Sequence, residues 1–89
     1  MPHFYIDTDD GKSAVTDEDG AEYQDLVSAE DMAMRSLPEM AQSCYPARDW
    51  RQISAAVRDE AGAVRFRAYL ALSVERVRAD PAVAEMVAA

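Results

Sequence analysis

Several groups of residues in this chain could do chemistry. The first is its start, MPHFYID. Trimming of the initial methionine would leave Pro2 with a free secondary amine, which can act as a general base when its pKa is brought near neutrality. The second is the acidic run DTDDGKSAVTDEDG, from Asp7 to Gly20, which invites a hard cation. The single His3 and single Cys44 are the raw material of a nucleophile pair or of part of a zinc site. Arg58, Arg65 and Arg67, with Tyr69 and Tyr5, could form an arginine–aromatic surface that stacks bases or grips a protein partner.

The spacing narrows these options. An EF-hand loop needs oxygen ligands at positions 1, 3 and 5, glycine at 6 and glutamate at 12. A register starting at Asp7 places Asp9 and Glu18 correctly, but sets Gly11 and Lys12 where the third ligand and the glycine belong. A register starting at Val15 places Gly20 correctly and loses both end ligands. The run therefore reads as two solvated hairpin turns, and no metal or other cofactor is expected. One histidine and one cysteine fall short of the three or four ligands of a usual zinc site. Cys44 continues an apolar helix stripe, so it reads as core packing. No serine lies in an elbow motif, and the three glycines form no phosphate-cradling loop.

Composition limits the partners. The chain has 89 residues, enough for one modest core, and 49% of them are apolar. Net charge is −8, and residues 1–31 account for it with ten acids against Lys12 alone. Residues 32–89 carry seven acids and eight bases. Phosphate backbones are bound by cations, so nucleic acid is not an expected partner of such a chain. A lone cysteine forms no intrachain disulfide. The start lacks the basic and apolar regions of a signal peptide, and no stretch is apolar enough to span a bilayer. A cytoplasmic, non-membrane protein is the expectation.

The elements that must position these residues follow from periodicity. His3 to Asp7 alternates, with Phe4 and Ile6 on one face, and predicts a strand. After the turn Asp9-Asp10-Gly11-Lys12, the stretch Ser13–Asp17 predicts a second strand offering Val15 to the core, and Ala21–Tyr23 adds a little more. Leu26, Ala29, Ala33, Leu37, Met40 and Cys44 recur at helical spacing. Asp25 or Ser28 would cap that helix, with Glu30 and Asp31 in its first turn. Pro38 predicts a kink or restart. Ile53, Ala55 and Val57 alternate in a third strand entered through Asp49-Trp50, with Trp50 read as a plug at the sheet edge or an interface anchor. Asp59-Glu60-Ala61-Gly62 turns the chain. The clearest strand follows: Val64, Phe66, Ala68, Leu70, Leu72 and Val74 face the core, and Arg65, Arg67 and Tyr69 face away. Asp80-Pro81 opens a short terminal helix.

The expected fold is thus α+β, an antiparallel sheet of two hairpins in β-β-α-β-β order with one main helix on one face. A single domain spans residues 1–78, and residues 79–89 form a short C-terminal helix or tail. Phe66, Leu70 and Leu72 are expected to be buried against Leu26, Leu37 and Met40.

MPHF followed by an apolar run resembles the start of some members of the tautomerase superfamily, which use such an amine as base. That resemblance covers only a few residues. A tautomerase strand runs almost directly into its helix, whereas here an acidic segment intervenes. Lys12 and Arg35 are the only cations in the first half. Phe4 to Asp7, Asp10-Gly11, Asp17 to Gly20, Asp25-Leu26 with Ala29, Arg58 to Gly62 and Leu72 to Arg76 together resemble something else. Their order and spacing over residues 2–77 are similar to a family of small bacterial proteins, frequent in alphaproteobacteria and catalogued only as a domain of unknown function. Pro38 and the tail after Arg78 depart from that pattern. The resemblance supports the fold and implies no activity, ligand or catalytic residue.

The expected function is a non-catalytic protein-binding or regulatory module. Tyr5, Arg58, Arg65, Arg67 and Tyr69 form its binding surface, and the partner is another protein or a second copy. The rival readings are a tautomerase-like enzyme using Pro2, and an antitoxin-like regulator whose arginine–tyrosine sheet face binds nucleic acid.

Overall fold

A computed structural model of the chain describes residues 1–44, 50–73, 75 and 77. The elements are β1 (His3–Asp9), β2 (Ala14–Val15), β3 (Ala21–Glu22), α1 (Leu26–Cys44), β4 (Trp50–Arg58) and β5 (Val64–Ser73). They build an α+β fold, a five-stranded antiparallel sheet in the order β2-β1-β4-β5 with β3 also on β1. α1 packs across one face, chiefly over β4.

Three strands precede the helix, the third lying at Ala21–Glu22, within the stretch expected to add a little more strand. The chain returning along β1 pairs first at Thr8↔Val15 and Asp9↔Ala14, and again at His3↔Glu22 and Phe4↔Ala21. Thr16 to Gly20 swing away between these two short pairings, so the returning arm is split into β2 and β3. Val15 is not a core residue: it is 61% exposed on this outer strand.

β4 lies antiparallel to β1, from Tyr5↔Arg58 to Asp9↔Ser54. The helix makes this placement natural. At 1.5 Å per residue, α1 spans about 28 Å, roughly the length of β4, so it carries the chain from one end of the sheet to the other. β4 can then run back beside β1.

α1 starts where Asp25 caps it. The Ser28 backbone N–H and the Ser28 hydroxyl both donate to Asp25 Oδ1 at 2.8 Å. With the cap at Asp25, Glu30 and Asp31 fall beyond the first turn, which carries no acid. The helix continues through Pro38 without a restart. Pro38 lies on the exposed side, where water can take the carbonyl left without its N–H partner.

The buried core comprises Phe4 from β1, Ala29, Ala33 and Leu37 from α1, and Ile53, Ala55 and Val57 from β4. Alanines at 29 and 33 let the helix backbone approach the sheet closely, while Leu26, Met40, Phe66 and Leu70 pack around the centre. The expectation that Phe66, Leu70 and Leu72 form the buried centre needs correcting, because all three are half-buried. Among the described residues β5 is flanked by a strand on one side only, whereas β4 lies between two strands and under the helix. The side chains of Cys44 and Trp50, and the terminal helix expected from Asp80-Pro81, lie outside the described residues.

Candidate functional site

The polar groups converge where the returning arm leaves β1. Ile6 has no backbone partner on that edge, and its N–H donates instead to Asp17 Oδ2 at 3.1 Å. Gly20 N–H donates to Asp17 Oδ1 at 2.9 Å, and Asp17 N–H donates to Asp7 Oδ1 at 2.9 Å. The Asp17 carboxylate thus stands in for the carbonyl of a missing strand residue, closing an edge that would otherwise present unpaired donors.

Gly20 makes this approach possible. Its φ of +65° is left-handed, and a Cβ there would lie 2.8 Å from the Phe4 carbonyl oxygen and 2.7 Å from Tyr5 Cδ2.

Arg58 completes the cluster from the neighbouring strand. Tyr5 and Arg58 are register partners, and Asp7 is the next residue of β1 on the same outward face. Arg58 donates from Nε to Asp7 Oδ2 at 2.6 Å, and from one terminal nitrogen to Asp7 Oδ1 at 3.1 Å and to the Asp17 carbonyl at 3.0 Å. Its guanidinium carbon lies 5.0 Å from the centre of the Tyr5 ring. The Arg58 hydrogen bonds hold the Asp7 carboxyl below its usual range, partly opposed by desolvation. The Gly20 N–H is the main cause of a lowered value at Asp17. The Asp7 hydrogen bond in turn raises Arg58. Both carboxylates are therefore ionised near neutrality, which suits hydrogen-bond acceptance and not proton donation.

The other acids are committed in the same way. Asp9 accepts from Gly11 N–H, and Asp10 accepts from Lys12 and Ser13 N–H, all at 2.8 Å. Asp59 accepts from the N–H groups of Ala61 and Ala63 at 3.0 and 2.9 Å, closing the β4–β5 turn. These contacts lower the Asp10 and Asp59 pKa values, with the Ser13 and Ala63 N–H groups as their respective main causes. Among the described residues, no group of three or more His, Cys, Asp or Glu is arranged to hold a metal ion.

The five residues expected to form one binding surface separate into three places. Tyr5 and Arg58 sit together, but as parts of the edge closure. Arg65 stands beside the register irregularity opposite Val57 and Arg58, and reaches Asp59 at 3.4 Å. Arg67 and Tyr69 project from the outward face, opposite Ala56 and Ser54. Tyr69 is 59% exposed. Sequence reasoning treated Asp17 as a turn residue and Arg58 as a surface cation. The spacing of Asp17 to Gly20 hinted at a local turn bond, but nothing local pointed to Ile6, eleven residues away.

Pro2 is exposed and precedes β1, and its carbonyl accepts the Tyr23 N–H at 2.9 Å. The next residue, His3, donates its N–H to Glu60 Oε1 at 3.3 Å, while its ring Nε2 lies 2.8 Å from the Asp19 carbonyl oxygen. No described helix is long and apolar enough to cross a membrane.

Among known proteins, a family model described as a domain of unknown function (DUF6894) matches residues 3–71. No curated protein and no solved structure matches the chain.

Proposed function

The chain belongs to the DUF6894 family, and from that premise we propose that it is a non-catalytic, cytoplasmic module that binds a protein partner through the outward face of its sheet. One observation carries this reading: α1 covers one face of the sheet, and among the described residues no element covers the other. On that bare face, Ser54 and Ala56 form a low centre, with Tyr69 and Arg67 standing beside them on β5. A small-residue floor next to an exposed aromatic and a cation is the composition of an interface anchor site. The carboxylates near Tyr5 and Arg58 are engaged in holding the fold, which leaves them poorly suited to acid–base work.

The test is capture from the native host by the tagged full chain, with mass spectrometry of what co-purifies, beside an Arg67→Ala/Tyr69→Ala variant. The expected result is a protein retained by the wild type and lost by the variant, both with the same circular dichroism. Equal capture by both would overturn the face assignment. Nucleic acid retained in place of protein would favour the regulator reading. Ketonisation of phenylenolpyruvate that is lost in Pro2→Ala would replace the proposal with an enzyme.

A further inference from the structure

We propose that two copies of this chain associate through the outer edge of β5, in two-fold antiparallel pairing that makes one continuous sheet and sets the two helices side by side. The first observation is the asymmetry of the sheet's two edges. The β1 edge is closed by β2, by β3 and by the Asp17 carboxylate on Ile6. The β5 edge is ten residues long, and among the described residues β5 pairs only with β4. It contains no proline and no lysine, and its one irregularity lies at its start, opposite Val57 and Arg58. Natural sheets normally protect so long an edge.

The second observation is independent and comes from the helix. Met32, Arg35, Ser36 and Glu39 share a depression with Ile6, so that flank of α1 faces the β1 side. At about 100° per residue, Val27 and Met34 fall on the opposite flank, above β5. They are 68% and 52% exposed, and Val64, at the start of β5, is 43% exposed. The exposed apolar side chains of the helix flank and the open strand edge therefore lie on one side of the molecule.

Charge pattern and size both favour a second copy as the occupant. Pairing centred on Ala68 sets Phe66 against Leu70 on the helix side and, on the outward face, Arg67 against Tyr69 of the second copy. Each cation then meets an aromatic ring. Pairing centred on Arg67 would oppose two like charges and is disfavoured. The acidic turns between β1, β2 and β3 lie at the far edge of each sheet, so most of the charge of −8 stays away from the contact. Ten strand residues alone fall short of the roughly 20–30 residues a side of a standard stable interface. The flank carrying Val27, Glu30, Met34 and Pro38 extends the contact towards that size. With each helix over its β4, the two axes would lie about 14 Å apart, three strand spacings, a gap that methionine side chains can bridge.

The experiment is sedimentation velocity of the full chain across a wide concentration range, beside a Val27→Asp/Met34→Asp variant and a Ser54→Arg variant. Both sites of the first variant are exposed, and unchanged circular dichroism will verify its fold. The expected result is a wild-type dimer, association weakened at least tenfold in favour of monomer in the helix-flank variant, and no change in Ser54→Arg. Amide exchange in β5 should slow as concentration rises, while exchange in β1 should not. A monomer at every concentration would overturn the proposal. So would a dimer broken by Ser54→Arg and indifferent to the helix-flank changes. The first failure leaves capture of a separate partner standing, and the second would make a second copy the occupant of the outward face.

Discussion

Substituting Gly20 by alanine isolates the close approach that holds the outer edge of β1. The control is Gly62→Ala in the β4–β5 turn. Both glycines have left-handed backbones, with φ of +65° and +86° respectively, but a Cβ at Gly62 would meet nothing within 4 Å. Gly62→Ala therefore costs only the left-handed strain of about 1–2 kcal/mol, partly offset by a stiffer unfolded chain. Gly20→Ala carries the same strain. In addition, its Cβ would sit 2.8 Å from the Phe4 carbonyl oxygen and 2.8 Å from His3 Nε2. The Phe4 oxygen belongs to a paired strand and cannot move without disturbing the pairing with Ala21. Overpacking of this kind adds about 1–3 kcal/mol. The totals are about 1 kcal/mol at Gly62 and about 2–4 kcal/mol at Gly20. In a domain of this size each kcal/mol lowers Tm by roughly 4–8 °C, so thermal unfolding followed by circular dichroism separates the two cases. If Gly20→Ala loses no more than Gly62→Ala, the packing of Gly20 beneath Tyr5 and His3 is wrong.

Other outcomes follow from the same geometry. Ile53→Ala should cost about 2–5 kcal/mol in denaturant unfolding, as fully buried truncations do, and half-buried Leu70→Ala distinctly less; the reverse order would put the centre of the core under β5. Asp7 and Asp17 have folded-state pKa values below their unfolded values, so their stabilisation is present above the unfolded carboxylate pKa and is lost as pH falls through the folded one. Asp7→Asn should accordingly flatten the acid limb of the stability curve below about pH 4, and an unchanged limb would show that the Arg58 contact contributes nothing. Asp25→Ala should lower helical stability while Asp25→Asn restores most of it, because both Asp and Asn can accept from Ser28; equal losses would point to charge and not capping.

Much of this architecture is legible in local pattern. The alternation from Phe66 to Leu72 predicts the correct facing, with Arg67 and Tyr69 outward, whereas Val64, expected to face the core, is set opposite the outward-facing Arg58 by the register shift beside it. The stripe through Leu26, Ala29, Ala33, Leu37 and Met40 is the face that packs. Rank within the core is not legible. Strict alternation made β5 the clearest strand because one of its faces is wet, yet depth depends on neighbours. β4 gains those neighbours through a crossover that no local period encodes. The candidate site was read in part. Tyr5, Arg58 and the acidic turns were all singled out, but Asp7 and Arg58 are 51 residues apart in sequence. Their bond exists only once β4 has been laid beside β1. Once formed, it removes Arg58 from the free surface.

The acids of this chain point to a distinction between charge and its cause. Asp9, Asp10, Asp25 and Asp59 each accept a backbone N–H on one oxygen from a residue two to four places further along. What each position asks for is a short side chain ending in an oxygen, and asparagine offers that as well. Glutamate, one methylene longer, does not reach in the same way. Electrophoretic character is then a by-product of turn making. Relatives with this fold are free to drift from acidic towards neutral by exchanging aspartate for asparagine at these places. The same positions should resist glutamate, although that exchange leaves the charge untouched.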